Sequence, residues 1–142
     1  METEGLFAPE TAAAARERYE SLGPTAQTTV KQVAKAMEFD PKEYDDRVTG
    51  EVVETAREVL FASMLEVHVG DRESFEDWQA DHDEWNVVEF GSEHVDRVVW
   101  HAAPFAETVV AATFHEQRRA AVETLRRQAF GRVYSEVVPC AR

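Results

Sequence analysis

Apolar residues in the first half of the chain recur at helical spacing. Ala12, Ala15, Tyr19 and Leu22 share one face of a helix that Pro9 opens and the Gly23, Pro24 pair would end. A second helix is expected from a Thr25 cap, with Ala26, Val30, Val33, Ala34 and Met37 at helical intervals. Asp40, Pro41 and Glu43 supply the cap, the first-turn proline and the third-position glutamate of a capping box, so a short third helix follows. Thr49 can cap a fourth, whose apolar stripe is Val53, Ala56, Leu60 and Met64.

After Met64 the period changes to alternation. Leu65, Val67 and Val69 point one way and Glu66 and His68 the other, as in a half-buried strand. A turn and a short amphipathic helix carrying Phe75 and Trp78 come next, then strands over 87–90, 94–101 and 108–114. Residues 116 to about 137 read as a long helix with Val122, Leu125, Ala129 and Val133 on one face. Connections of hairpin length imply an antiparallel sheet of about four strands with helices packed on one side. The predicted class is α+β: a helical N-terminal layer, the sheet, and a long C-terminal helix on it, forming a single domain over residues 1–142.

Composition narrows the setting. The chain has 142 residues, enough for one domain with a real core, and is 44% hydrophobic, so bulk disorder is not expected. Against 28 acidic residues stand only 15 basic ones, of which Lys31, Lys35 and Lys42 are the lysines. A net charge of −13 with little lysine suits a cytosol of molar salt, where a Debye length of about 3 Å screens self-repulsion. The acidity therefore reads as solvation in brine, with a cationic partner as the functional counterpart. Cys140 stands alone, which excludes an intrachain disulfide or a thiol zinc cluster and fits a reducing compartment. The opening METEGLFAPE is acidic where a signal peptide is basic. No stretch approaches the ~18 apolar residues of a membrane span, so a soluble, cytoplasmic protein is expected.

The stretches GLFAPET, VAKAMEFD, VTGEVVETAREVLFASMLEVHVG, VVWHAAPFAETVVAATF and LRRQAFGRVY together resemble a family of short acidic haloarchaeal proteins of unknown function. The resemblance spans nearly the whole chain. It implies an organism group and a domain of unknown function, with no activity or catalytic residue to carry over.

Candidate chemistry is sparse. His82 lies among Asp77, Asp81, Asp83 and Glu84, without the spacing or the glycine of a calcium loop, and reads as part of a solvated acidic loop. Glu66 and His68 share a strand face and could hold a metal with His101 if the strands pair suitably. No serine elbow, phosphate loop or dinucleotide fingerprint is present, and Cys140 stands at the chain end, so no catalytic residue and no cofactor is assigned. Residues 115–142 carry six arginines and three acids. Arg119, Arg126 and Arg127 are the candidate partner-binding residues, although Arg119, Glu123 and Arg127 could equally form an ion-pair ladder. Trp100 is expected to pack beneath a helix at the edge of the core, and His101 at the strand's end to cap a loop carbonyl; in the alternative reading Trp100, His101 and Phe105 are candidates for a shallow ligand pocket. The expected function is that of a non-enzymatic binding or adaptor protein with an unknown protein partner, and a homodimer is compatible with the sequence. The alternatives are a nucleic-acid- or ribosome-associated factor using the arginine helix, which the overall charge disfavours, and a small metal-dependent hydrolase built on Glu66, His68 and His101.

Overall fold

In a computed structural model the described residues are 1–138, and Cys140 lies outside them. The elements run β1 (Glu2–Glu4), α1 (Ala12–Ser21), α2 (Gly23–Ala36), α3 (Pro41–Arg47), α4 (Gly50–Ser63), β2 (Val67–Asp71) and α5 (Arg72–Ala80). They continue as β3 (Asn86–Phe90), β4 (Arg97–Ala103), β5 (Thr108–Phe114) and α6 (Arg118–Ala129), the last extended by a wide turn over Phe130–Tyr134. The fold is α+β.

Short polar side chains start four of the helices by accepting an otherwise orphaned backbone N–H. Thr11 accepts from Ala14 at 3.0 Å, Asp40 from Glu43 at 2.8 Å, Thr49 from Val52 at 3.3 Å and Asp71 from Ser74 at 2.8 Å. α1 ends at Ser21, just ahead of Gly23 and Pro24 as expected. The same pair begins α2, with Leu22 and not Thr25 at the cap position, because a proline costs nothing in a first turn whose N–H groups lack partners anyway.

The sheet has five strands, not about four, and is mixed, in the order β1-β2-β4-β5-β3. β3 does not form a hairpin with β4; it lies parallel to β5, with Val88 opposite Val110. The connection from β3 crosses the end of β5 and delivers β4 to the centre, between β2 and β5. Gly91 makes that crossing possible. Its φ is +98°, and a Cβ there would stand 2.0 Å from Oγ1 of Thr113 on β5. The strand absent from the sequence reading is β1, whose Glu-Thr-Glu has no apolar face to betray it and which pairs antiparallel with β2 along an edge.

Helices cover both faces of the sheet, in place of the single face expected. On one side Val67, Val99, Ala103 and Val110 pack beneath α6, α4 and α1, around Phe61. Phe61 meets the rings of Phe7, Tyr19, Phe130 and Tyr134 at centroid distances of 5.5, 5.8, 5.7 and 5.2 Å. On the other side α5 lays Phe75 over Val98, Trp100, Val109 and Ala111. The expected long C-terminal helix is a 12-residue helix that widens at Phe130, which turns Val133 and Tyr134 inward. Helix α2 packs on α4 and more lightly on α1, so it forms an outer layer one helix removed from the sheet.

Candidate functional site

Neighbouring residues of a strand point to opposite faces, and that period of two decides most of the candidate chemistry. Trp100 pairs across the sheet with His68, so both lie on the α5 side. Trp100 is fully buried there, its ring centroid 5.1 Å from that of Phe75 and 5.5 Å from that of His68. Gly70 leaves room for it: a Cβ at Gly70 would touch the indole at 3.4 Å. The indole Nε1 is buried without a hydrogen-bond partner.

His101, the next residue, faces α6 and is buried completely. One of its ring nitrogens, Nδ1, lies 2.6 Å from the carbonyl oxygen of Glu66, and the other, Nε2, lies 2.6 Å from the Tyr134 hydroxyl. A carbonyl only accepts, so Nδ1 carries the proton and donates it, and Nε2 accepts from the tyrosine. Burial, above all, lowers the pKa of His101 to about 4 from an ordinary 6.5. Burial likewise raises the Tyr134 hydroxyl. Phe105 reaches the same side, its ring 5.6 Å from that of Tyr134. The alternative pocket of Trp100, His101 and Phe105 is therefore not assembled, since the tryptophan and the histidine lie on opposite sides of the sheet.

The same geometry separates the metal candidates. Glu66 and His68 stay together, with His68 Nε2 3.4 Å from the Glu66 carboxylate and Nδ1 3.1 Å from the Thr3 hydroxyl. Burial, offset in part by the nearby Glu66 carboxylate, lowers the pKa of His68. His101 touches only the backbone of Glu66, from the far face. Among the described residues no group of three or more histidine, cysteine or acidic side chains is placed to hold an ion. His82 is held by two tryptophans. It stacks on Trp78 at 3.9 Å, meets Trp85 edge-on at 4.9 Å, and holds the Trp78 carbonyl through Nδ1 at 2.8 Å, an aromatic clamp where a solvated loop was expected.

The C-terminal arginines divide into two groups. Arg118 binds Glu2 and Glu4, fastening β1, with a 2.8 Å contact to Glu4. Arg126 donates to the carbonyl of Leu65 at 3.0 Å, and Arg132 lies over the ring of Phe90. Of the candidate trio Arg119 and Arg127 are exposed and Arg126 is partly buried, and neither of the exposed pair has an ionic partner among the described residues. The ladder through Glu123 is not formed.

A cleft of about 790 Å³ lies elsewhere, between α2, α3 and the start of α4, lined among others by Gln27, Thr28, Lys31, Tyr44, Val53 and Arg57. Arg57 is fully engaged there: it donates to the carbonyls of Tyr19 (2.8 Å) and Glu20 (3.1 Å) and pairs with Glu54, which also receives the Tyr19 hydroxyl. Lys31 is exposed and has no counter-ion among the described residues.

Helix α2 forms one wall of this cleft and has a distinct surface. At 100° per residue, Ala26, Val30 and Ala34 form its buried line, Lys31 the flank toward the cleft with Lys35 about 40° further outward, and Thr29 and Val33 the opposite flank, while Met37 is the C-cap residue just beyond the last turn. Thr25, Thr28, Gln32 and Ala36 point outward over a shallow hollow. Val33 and Met37 remain 53% and 59% exposed. No carboxylate occurs between Glu20 and Glu38, and every lysine of the chain falls between residues 31 and 42. That gap was written in the sequence, but attention to clusters of charge overlooks a place where charge is missing.

Among the described residues no helix is long and apolar enough to cross a membrane. A family of unknown function, DUF5809, matches residues 6–135 of the chain. No curated protein and no solved structure matches it.

Proposed function

We propose, on the premise that the chain belongs to this family of unknown function, that the protein is a non-enzymatic binding module of a salt-rich, haloarchaeal cytoplasm, and that it engages another protein through α2. The observation that carries this reading is the outward side of α2, which has exposed apolar residues and no acid in a chain of net charge −13. Carboxylates hold water on the rest of the surface. A helix that forgoes them while presenting Val33, with Met37 exposed at its C-cap, has the composition of a surface that becomes covered, since few acids and exposed apolar side chains mark an interface core.

The alternatives have less support. A hydrolase built on Glu66, His68 and His101 would need side chains that stand on opposite faces of the sheet. A nucleic-acid factor would keep Arg119 and Arg127 of its three arginines, because Arg126 is bonded to Leu65, and molar salt removes most of the affinity that phosphate contacts provide.

The test is recovery from a molar-salt extract of the source cells with the tagged full-length chain. A protein retained at a fixed ratio by the native chain, and lost from a Val33→Asp, Met37→Asp variant with an unchanged circular dichroism spectrum, is the expected result. Equal recovery by the two chains rules out α2 as the binding surface.

A further inference from the structure

We propose that β3 is a dimerisation edge, on which a second copy of this chain pairs its own β3 antiparallel, centred on Val88, so that one sheet runs through both copies. The surface is separate from α2, and the inference stands whether or not α2 binds a partner.

β3 is the outermost strand on its side of the sheet, next to β5. Asn86 donates its N–H to the carbonyl of Glu107 at 2.9 Å, which sets the phase of the parallel ladder. Asn86, Val88 and Phe90 therefore turn their backbone groups to β5, and Val87 and Glu89 turn theirs outward. No residue of the strand is buried, and Val87 is 43% exposed. The helices leave this side open, since α6 packs chiefly on β5 and β4, and α5 on β2 and β4. Edge strands are ordinarily protected by lysine, proline or a bulge. Asn-Val-Val-Glu-Phe has none of these, and its one charge is taken up by Arg72, 3.2 Å from Glu89. The far edge is different: β1 carries Glu2 and Glu4 under the clasp of Arg118.

Self-pairing about Val88 satisfies every outward group of the strand. Val87 and the partner's Glu89 exchange both backbone hydrogen bonds, as do Glu89 and the partner's Val87. Val88 then stands against the partner's Val88 across the two-fold axis, an isologous contact.

Charge selects this occupant. Arg132 lies over the ring of Phe90 at one end of β3, exposed and without an ionic partner among the described residues. Asp83 and Glu84, exposed and equally unpaired, precede the other end. Glu93, past Gly91, is turned to His94. The strand holds its two ends about 13 Å apart, at about 3.3 Å per residue. Antiparallel pairing lays the acidic end of each copy beside the arginine of the other. A parallel copy does not make that match, and an unrelated strand has no built-in means to make it.

Each copy carries a net charge of −13, so association is measured in molar salt, where a screening length of about 3 Å removes the long-range repulsion. Sedimentation equilibrium of the full chain there should show a dimer. Val87→Pro deletes one outward donor and leaves the ladder to β5 complete, so it should weaken the dimer at least tenfold with an unchanged circular dichroism spectrum. Val87→Ala trims the same side chain, keeps the donor and should stay dimeric. In a Cys140→Ser background, Val88→Cys should form a disulfide between copies on mild oxidation and Val87→Cys should not, because only position 88 meets itself. A native chain that stays monomeric, with or without another protein on β3, overturns the proposal. So does a dimer indifferent to Val87→Pro in a folded variant, or coupling through position 87 in preference to 88. Should Val87→Pro fail to fold, the two cysteine variants decide.

Discussion

Tyr134 donates its hydroxyl proton to Nε2 of His101, and the opposite ring nitrogen of that histidine holds the Glu66 carbonyl, so one imidazole ties three distant stretches of chain together. The Tyr134 hydroxyl comes from the turn after α6, His101 from the central strand, and Glu66 from the junction of α4 with β2. Replacing Tyr134 with phenylalanine leaves a buried ring nitrogen without a donor. The expected cost is about 1–3 kcal/mol, the penalty for an unsatisfied buried acceptor, and denaturant unfolding in high salt measures it. A change within error would show that Nε2 finds another donor.

The same histidine sets a pH dependence. Its folded pKa, about 4, lies below the ordinary 6.5, so the folded chain binds fewer protons than the unfolded one. Its contribution is complete above pH 6.5 and is lost as the pH falls toward 4, about 3 kcal/mol in all. The imidazole nitrogen shifts of His101 should stay those of the neutral ring at pH 5. A midpoint near 6.5 would contradict the buried arrangement.

Trp100 fills the space between sheet and α5. Truncation to alanine should cost about 3–5 kcal/mol, a large share of the roughly 5–15 kcal/mol that holds a domain folded. A loss below about 1 kcal/mol, read from denaturant midpoints, would place the indole outside the core.

Gly91→Ala tests the strand crossover. The new Cβ meets Thr113 Oγ1 at 2.0 Å, and the residue must hold a φ of +98°. A strain of about 1–3 kcal/mol is expected. Thr113→Ala in the same chain should recover the part due to the collision and leave the part due to the backbone. Thermal midpoints of the two variants separate these contributions.

Unscreened carboxylates should destabilise the fold at low ionic strength, since the net charge is −13. The thermal midpoint is expected to drop as salt falls from molar to millimolar. A flat profile would mean that the acidic surface has no part in stability.

Helices and strands declared themselves through local patterns. Thr49 and Asp40 are capping residues that work within one turn, and Leu65, Val67 and Val69 alternate with their neighbours regardless of what they pair with. Pairing partners are another matter. Nothing in Val87 or Val88 specifies a parallel neighbour, and only the long reach from Gly91 to Arg97 separates a crossover from a hairpin. The candidate site depended on that same non-local information. His68 and His101 were both visible, but which face each occupies is set by the register that puts Trp100 opposite His68. The α2 surface could be read from the spacing of acids alone, whereas its exposure follows from a packing order that leaves α2 outermost.

The clasp of Arg118 on Glu2 and Glu4 joins groups 116 and 114 residues apart. The backbone partner of β1 is β2, 65 residues on where Thr3 faces His68, but the charges that fasten β1 there come from α6. The edge of the sheet is thus laid down by one contact and locked by another nearly twice as far along the chain, a closure of high contact order. An Arg118→Gln chain keeps the pairing of β1 and loses the lock, so the first strand becomes the part that opens most readily.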